Sequence, residues 1–241
     1  SDMCVEAARV AIEDAGIDPA DIDFVIIGTT SPDLIFPNVG TLVQHRLGIP
    51  PCPAVSMEAA CTSFIYALTT ADKFIKTGSA TRALVVGAET LSRIVDWQDR
   101  NTCVLFGDGA GAAVLEATDE PLGLLASDLG VDGAAAQFLK VSRFGTAGKR
   151  GQIDPKEASV FMDGQEVFRR AVTKMAGSAV TVVDQAGDAD DVDRQLERGD
   201  GEEAGAAAVV EHPRAGEVRA VQPAQAQGRR GVMAGAEGEA G

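Results

Sequence analysis

One cysteine stands where a nucleophile would be useful. Cys61 follows the apolar run Ala54-Val55-Ser56-Met57 and two small residues, Ala59 and Ala60. It opens a helical pattern with Phe64, Leu68, Ala71, Phe74 and Ile75 on one face. A strand that turns sharply into a helix at a cysteine brings the sulfur to the unpaired N–H groups and positive dipole end of that helix. Both favour the thiolate. A thiolate so placed can attack a carbonyl while backbone amides hold the oxyanion, and the alanines leave room for a substrate. The competing reading is burial, since unpaired cysteine commonly behaves as a small core hydrophobe. Spacing alone leaves both open. Cys4, Cys52 and Cys103 lie at no such turn and are expected to serve packing.

Other patterns carry less chemistry. Gly107-Asp108-Gly109-Ala110-Gly111-Ala112 satisfies the dinucleotide fingerprint and follows the apolar run Cys103-Val104-Leu105-Phe106, read as a strand. A dinucleotide site needs a full helix next, to aim its N-terminus at the pyrophosphate. Pro121-Leu122-Gly123 closes the segment within a few residues, so it reads as a strand-turn-strand passage. His45 falls on a helix and His212 in a low-complexity tail. No His, Cys or carboxylate pair has metal-ligand spacing, so no metal and no cofactor are expected.

The elements that must position Cys61 follow from periodicity. Helical stripes cover residues 4–15, 39–47, 61–76 and 166–183, while continuous apolar runs at 24–27, 54–57 and 83–87 have strand length. Continuous apolar strands separated by helices indicate an α/β fold with a mostly parallel sheet covered on both faces. The chain has 241 residues and a net charge of −15, which excludes nucleic-acid binding through a broad basic surface. It contains no apolar run near the ~20 residues of a membrane span. Four cysteines are too few for a disulfide scaffold, so a reducing cytoplasm is the expected setting. All nine Phe lie before residue 169 and the last Ile is Ile153, whereas residues 187–241 are rich in Gly, Ala, Glu and Arg. Residues 1–186 therefore read as the folded body, and 187–241 as a disordered or out-of-frame tail. The chain as a whole reads as a fragment.

Two segments carry a resemblance. Glu58-Ala59-Ala60-Cys61-Thr62-Ser63-Phe64 and residues 99–112, Asp-Arg-Asn-Thr-Cys-Val-Leu-Phe-Gly-Asp-Gly-Ala-Gly-Ala, resemble β-ketoacyl-ACP synthase III, the condensing enzyme that initiates bacterial fatty acid synthesis. The likeness extends through Gly28-Thr29-Thr30-Ser31-Pro32-Asp33, Phe36-Pro37, Val85-Val86-Gly87-Ala88-Glu89 and Met162-Asp163-Gly164-Gln165-Glu166-Val167-Phe168. It implies a thiolase-like αβαβα sandwich, with the N-terminal half mostly present and the C-terminal half largely missing, and a homodimer. It also implies acyl transfer from acyl-CoA, a substrate, to Cys61, followed by decarboxylative condensation with malonyl-ACP. By the same resemblance Phe36 shapes the partner subunit's acyl pocket, and Phe106 and Met162 lie near the active site. Arg100 meets CoA, and Arg169 receives the acyl carrier protein. The family's Pro-His-Gln-Ala-Asn and Gly-Asn-Thr-Ser segments, which supply a His and an Asn for decarboxylation, occur nowhere in this sequence. A catalytically incompetent fragment and a type III polyketide synthase relative are the alternative readings.

Overall fold

The structure, a computed structural model, describes residues 1–118, 123–141, 159–187 and the backbone of 217–220. Its elements are α1 (Asp2–Ala15), β1 (Phe24–Gly28), α2 (Val39–Arg46), β2 (Ala54–Met57), α3 (Ser63–Lys76), β3 (Arg82–Thr90) and β4 (Asp108–Thr118). There follow β5 (Leu139–Lys140), β6 (Phe161–Met162), α4 (Gly164–Ala186) and β7 (Glu217–Ala220). The order in the main sheet is β2-β1-β3-β4-β7. β5 and β6 form a separate antiparallel ribbon.

Strand alternation sends the apolar run of β1 to both faces. Val25 and Ile27 join Leu84, Val86 and Val114 in a cluster with Cys4, Val5, Ala8 and Ile12 of α1 and with Val39 and Val43 of α2. Phe24 and Ile26 join Ala83, Val85 and Leu115 against Ala67, Ala71 and Ile75 of α3. With helices on both sides, neither face tolerates polar residues, which is why β1 is buried along its whole length. Local chemistry sets the helix ends. Asn38 caps α2 by accepting from the Thr41 N–H at 3.1 Å, and Gly16 closes α1 in the left-handed conformation at φ 65°.

The sheet departs from the sequence expectation in several places. Pairing is parallel for β1–β2 and β1–β3 but antiparallel for β3–β4 and β4–β7, so the sheet is mixed. Residues 103–106 do not form a strand. Asp99 folds them back: its backbone carbonyl accepts from the N–H groups of Thr102 and Cys103, and its carboxylate accepts from the Thr102 hydroxyl at 2.8 Å. Thr102 and Cys103 become buried while Val104 and Leu105 stay exposed. The glycine-rich passage that follows runs into the continuous strand β4, with no turn in it and no helix N-terminus among the glycines to receive a pyrophosphate. Strand β7 lies inside the tail, and most of residues 187–241 are outside the described residues.

Candidate active site

Cys61 occupies a single 3-10 turn, Ala60–Thr62, between β2 and α3. It is exposed, whereas Cys4 and Cys103 are buried and Cys52 is half-buried. Burial pushes the Cys4 and Cys52 thiols up from their ordinary values, and for Cys52 the charge of Asp23 adds to the effect. Cys61 is thus the one cysteine with its side chain open to a reactant, and the burial reading does not describe it.

The turn is tightly specified. Ala60 has φ 48°, the left-handed region that costs an L-residue about 1–2 kcal/mol. The Ser63 hydroxyl accepts from the Ala59 N–H at 2.8 Å, and the Thr62 hydroxyl donates to the Ala59 carbonyl at 2.8 Å. These bonds brace the chain on both sides of Cys61.

Beneath the turn, register aligns three glycines: Gly28 pairs with Gly87, and Gly87 with Gly111. The start of α3 rests on the first two. A Cβ on Gly28 would lie 2.7 Å from the Ser63 carbonyl carbon, and one on Gly87 would lie 3.1 Å from the Phe64 ring. Missing side chains therefore let α3 begin directly on the sheet, with Cys61 two residues earlier. Neither Ser63 nor this row was singled out from sequence, although glycines at the ends of two apolar strands were the available signal.

Phe36, Arg100 and Phe106 sit on segments that leave the same edge of the sheet. β1, β2 and β3 end there and β4 begins there, with Thr90 opposite Asp108. Phe36 lies between β1 and α2, 83% exposed beside exposed Leu34 and Ile35. Arg100 is exposed on the turn braced by Asp99, and Phe106 is half-buried just before β4. Hydrogen bonds from Thr102 hold the Asp99 carboxyl below the usual carboxylate range, and those from Ser92 do the same for Asp108. Met162 is half-buried in β6, and the strand is tethered to this edge by the Val160 N–H donating to the Ile94 carbonyl at 2.8 Å. Arg169 is exposed on α4, 2.7 Å from Glu166, a pair that lowers the Glu166 pKa and raises that of Arg169.

Hydrogen bonds also join three strand ends. The Glu89 carboxylate accepts from the Thr30 N–H, the Thr30 hydroxyl and the Ser31 hydroxyl at 2.8, 3.0 and 2.6 Å. The Thr29 N–H donates to the Met57 carbonyl at 3.0 Å. Among the described residues, no group of three or more His, Cys, Asp or Glu side chains could hold a metal, and no helix is long and apolar enough to cross a membrane.

Comparisons with known proteins agree on one group. The family model of 3-oxoacyl-[acyl-carrier-protein] synthase III matches residues 55–140. A β-ketoacyl-[acyl-carrier-protein] synthase III of Neisseria meningitidis serogroup C is 48% identical over 192 residues, covering 78% of this chain and 57% of the relative. One from Thioalkalivibrio sulfidiphilus is 49% identical, covering 80% and 58%. The crystal structure of 3-oxoacyl-[acyl-carrier-protein] synthase III from Aquifex aeolicus superposes with a TM-score of 0.68 at 37% identity, over 76% of this chain and 55% of that one. The fold is thiolase-like. The chain spans somewhat over half the length of the curated relatives it matches.

Proposed function

Because the chain belongs to the β-ketoacyl-[acyl-carrier-protein] synthase III family, we propose that Cys61 is its acyl-accepting nucleophile. One observation carries the reading: an exposed thiol on a braced, strained turn between an edge strand and a helix, within the part of the chain that matches the family. The Cys61 thiolate attacks the thioester carbonyl of acyl-CoA. The tetrahedral oxyanion collapses, the CoA thiolate leaves, and the acyl group remains on sulfur.

In the complete enzyme malonyl-ACP then loses CO2. Its carbanion attacks the acyl-cysteine, and the Cys61 thiolate leaves as β-ketoacyl-ACP forms. This step needs donors for the enolate-like charge, and the family's His- and Asn-bearing segments are not in this sequence. Transacylation and condensation therefore make different demands, and the residues of this chain bear on the first.

The surrounding residues have matching roles in this reading. Arg100 meets the CoA nucleotide, and Phe106 and Met162 border the acyl group. Arg169 receives the acidic carrier protein. Exposed Phe36, with Leu34 and Ile35, packs against a second subunit, as an apolar cluster on a loop favours. Four unpaired cysteines suit a cytoplasmic setting.

Intact-mass measurement after incubation with acetyl-CoA, beside Cys61→Ala, tests the proposal. A single acetyl adduct that is absent from the variant is expected. A folded wild-type chain that takes no adduct would overturn the proposal.

A further inference from the structure

Glu89 lies near the end of β3, is half-buried, and has no part in the chemistry assigned to Cys61. Its Oε1 accepts from the Thr30 N–H, and its Oε2 accepts from the hydroxyls of Thr30 and Ser31. The Ser31 hydroxyl in turn accepts from the Thr90 N–H at 2.7 Å. One carboxylate thus ties the first residues after β1 to the end of β3, across 59 and 58 residues of chain.

The two residues just before them, Gly28 and Thr29, meet the Cys61 turn, and the Thr29 hydroxyl accepts from the Ser31 N–H at 3.2 Å. The Thr29 N–H donates to the carbonyl of Met57, the last residue of β2, from which the chain runs directly into the turn. Gly28 forms the seat of Ser63, the first residue of α3. Were residues 30 and 31 released, the chain beyond β1 would lose its tie to the end of β3, and Thr29, whose N–H holds Met57, would lose its support. Half-buried donors left without an acceptor keep their desolvation cost, so the loop would move to regain partners.

We propose that Glu89 is a positioning residue, fixing residues 29–31 and through them the 57–63 turn in the geometry needed for acyl transfer to Cys61. The proposal rests on Cys61 being the acyl acceptor. A chemical distinction separates positioning from proton transfer. A glutamine can offer its oxygen to the Thr30 N–H and its NH2 to the two hydroxyls, each of which can also accept. Geometry survives Glu89→Gln, whereas a role in moving protons does not.

The experiment uses the full chain as wild type, E89Q, E89A and S31A. It measures the rate of acetyl adduct formation against acetyl-CoA concentration by intact mass, with thermal unfolding followed by circular dichroism. E89A should lower the maximal rate about tenfold while the half-saturating concentration stays within about twofold, and E89Q should remain within about threefold of wild type. A folded E89A with an unchanged rate overturns the proposal, and so does an E89Q that falls as far as E89A.

Should E89A fail to fold, S31A decides: a loss of about threefold or more supports the role, and wild-type behaviour overturns it. Alkylation of Cys61 by iodoacetamide, located by peptide mass, reads the same turn without an acyl donor. A wild type that takes no acyl group, beside an alkylation rate changed about threefold or more in E89A and preserved in E89Q, sinks the acyl-acceptor reading while Glu89 keeps its positioning role. If the alkylation rates are equal, the positioning role is overturned as well.

Discussion

Gly28→Ala puts the smallest possible side chain where the structure has no space for one. The added Cβ would lie 2.7 Å from the Ser63 carbonyl carbon, 2.8 Å from its Cβ and 2.9 Å from its carbonyl oxygen. Ordinary contact begins near 3.4 Å, so the start of α3 must retreat by about 0.7 Å, or β1 must bend. Neither group is the free end of a flexible side chain. Overpacking of this kind costs about 1–3 kcal/mol. Reduced freedom of the unfolded chain returns about 0.4–1 kcal/mol. The net loss should be about 1–2 kcal/mol, or a melting temperature lower by about 2–8 °C for a chain of this size. Because the displaced residue lies two positions after Cys61, acylation should suffer more than stability. A misplacement of about 1 Å can cost about 100-fold, so a loss of at least tenfold in adduct rate is expected. Gly111→Ala is the control, since a Cβ there meets nothing within 4 Å. Urea unfolding and acetyl adduct kinetics read the two effects. A Gly28→Ala protein matching Gly111→Ala in both measurements would refute the close-packing account of the turn.

Two further perturbations probe the same edge of the sheet. Ala60→Val places a β-branched residue at φ 48° and should cost about 1–2 kcal/mol, whereas Ala60→Gly should stay within about 1 kcal/mol of wild type; equal urea midpoints for the two would show that the turn is not strained. Asp99 and Asp108 are held below the usual carboxylate range by hydrogen bonds from Thr102 and Ser92, so the folded chain binds fewer protons at these sites than the unfolded chain. Their contribution is whole above the unfolded value of about 4 and is lost as the pH falls through the lower folded values. The urea midpoint should therefore drop below about pH 4, and Asp99→Asn should lessen that drop. An unaltered acid profile in the variant would assign the sensitivity to other groups.

Much of the fold was legible because its signals are local. The apolar runs at 24–27 and 54–57 are β1 and β2 to within a residue; of the stripe read on α3, Ala71 and Ile75 are buried and Phe64 and Leu68 half-buried against the same cluster, while Phe74 is exposed. Cys61 was visible as a cysteine between a strand and a helix. Residues 103–106 misled because four apolar or near-apolar residues look like a strand, whereas Asp99 four positions earlier supplies acceptors that close a turn instead. Side chain to backbone bonding of this kind leaves little trace in hydrophobic periodicity.

Chain order alone marked the four helices, the strands β1, β2 and β3, both apolar faces of β1, and the family resemblance. Only the folded sheet decided that β4 runs antiparallel, that Gly28, Gly87 and Gly111 form one row, and that Glu89 meets Thr30 and Ser31. The physical reason is range. Periodicity and capping act within a turn or two of chain, while strand register brings together residues tens of positions apart that no local pattern marks as neighbours.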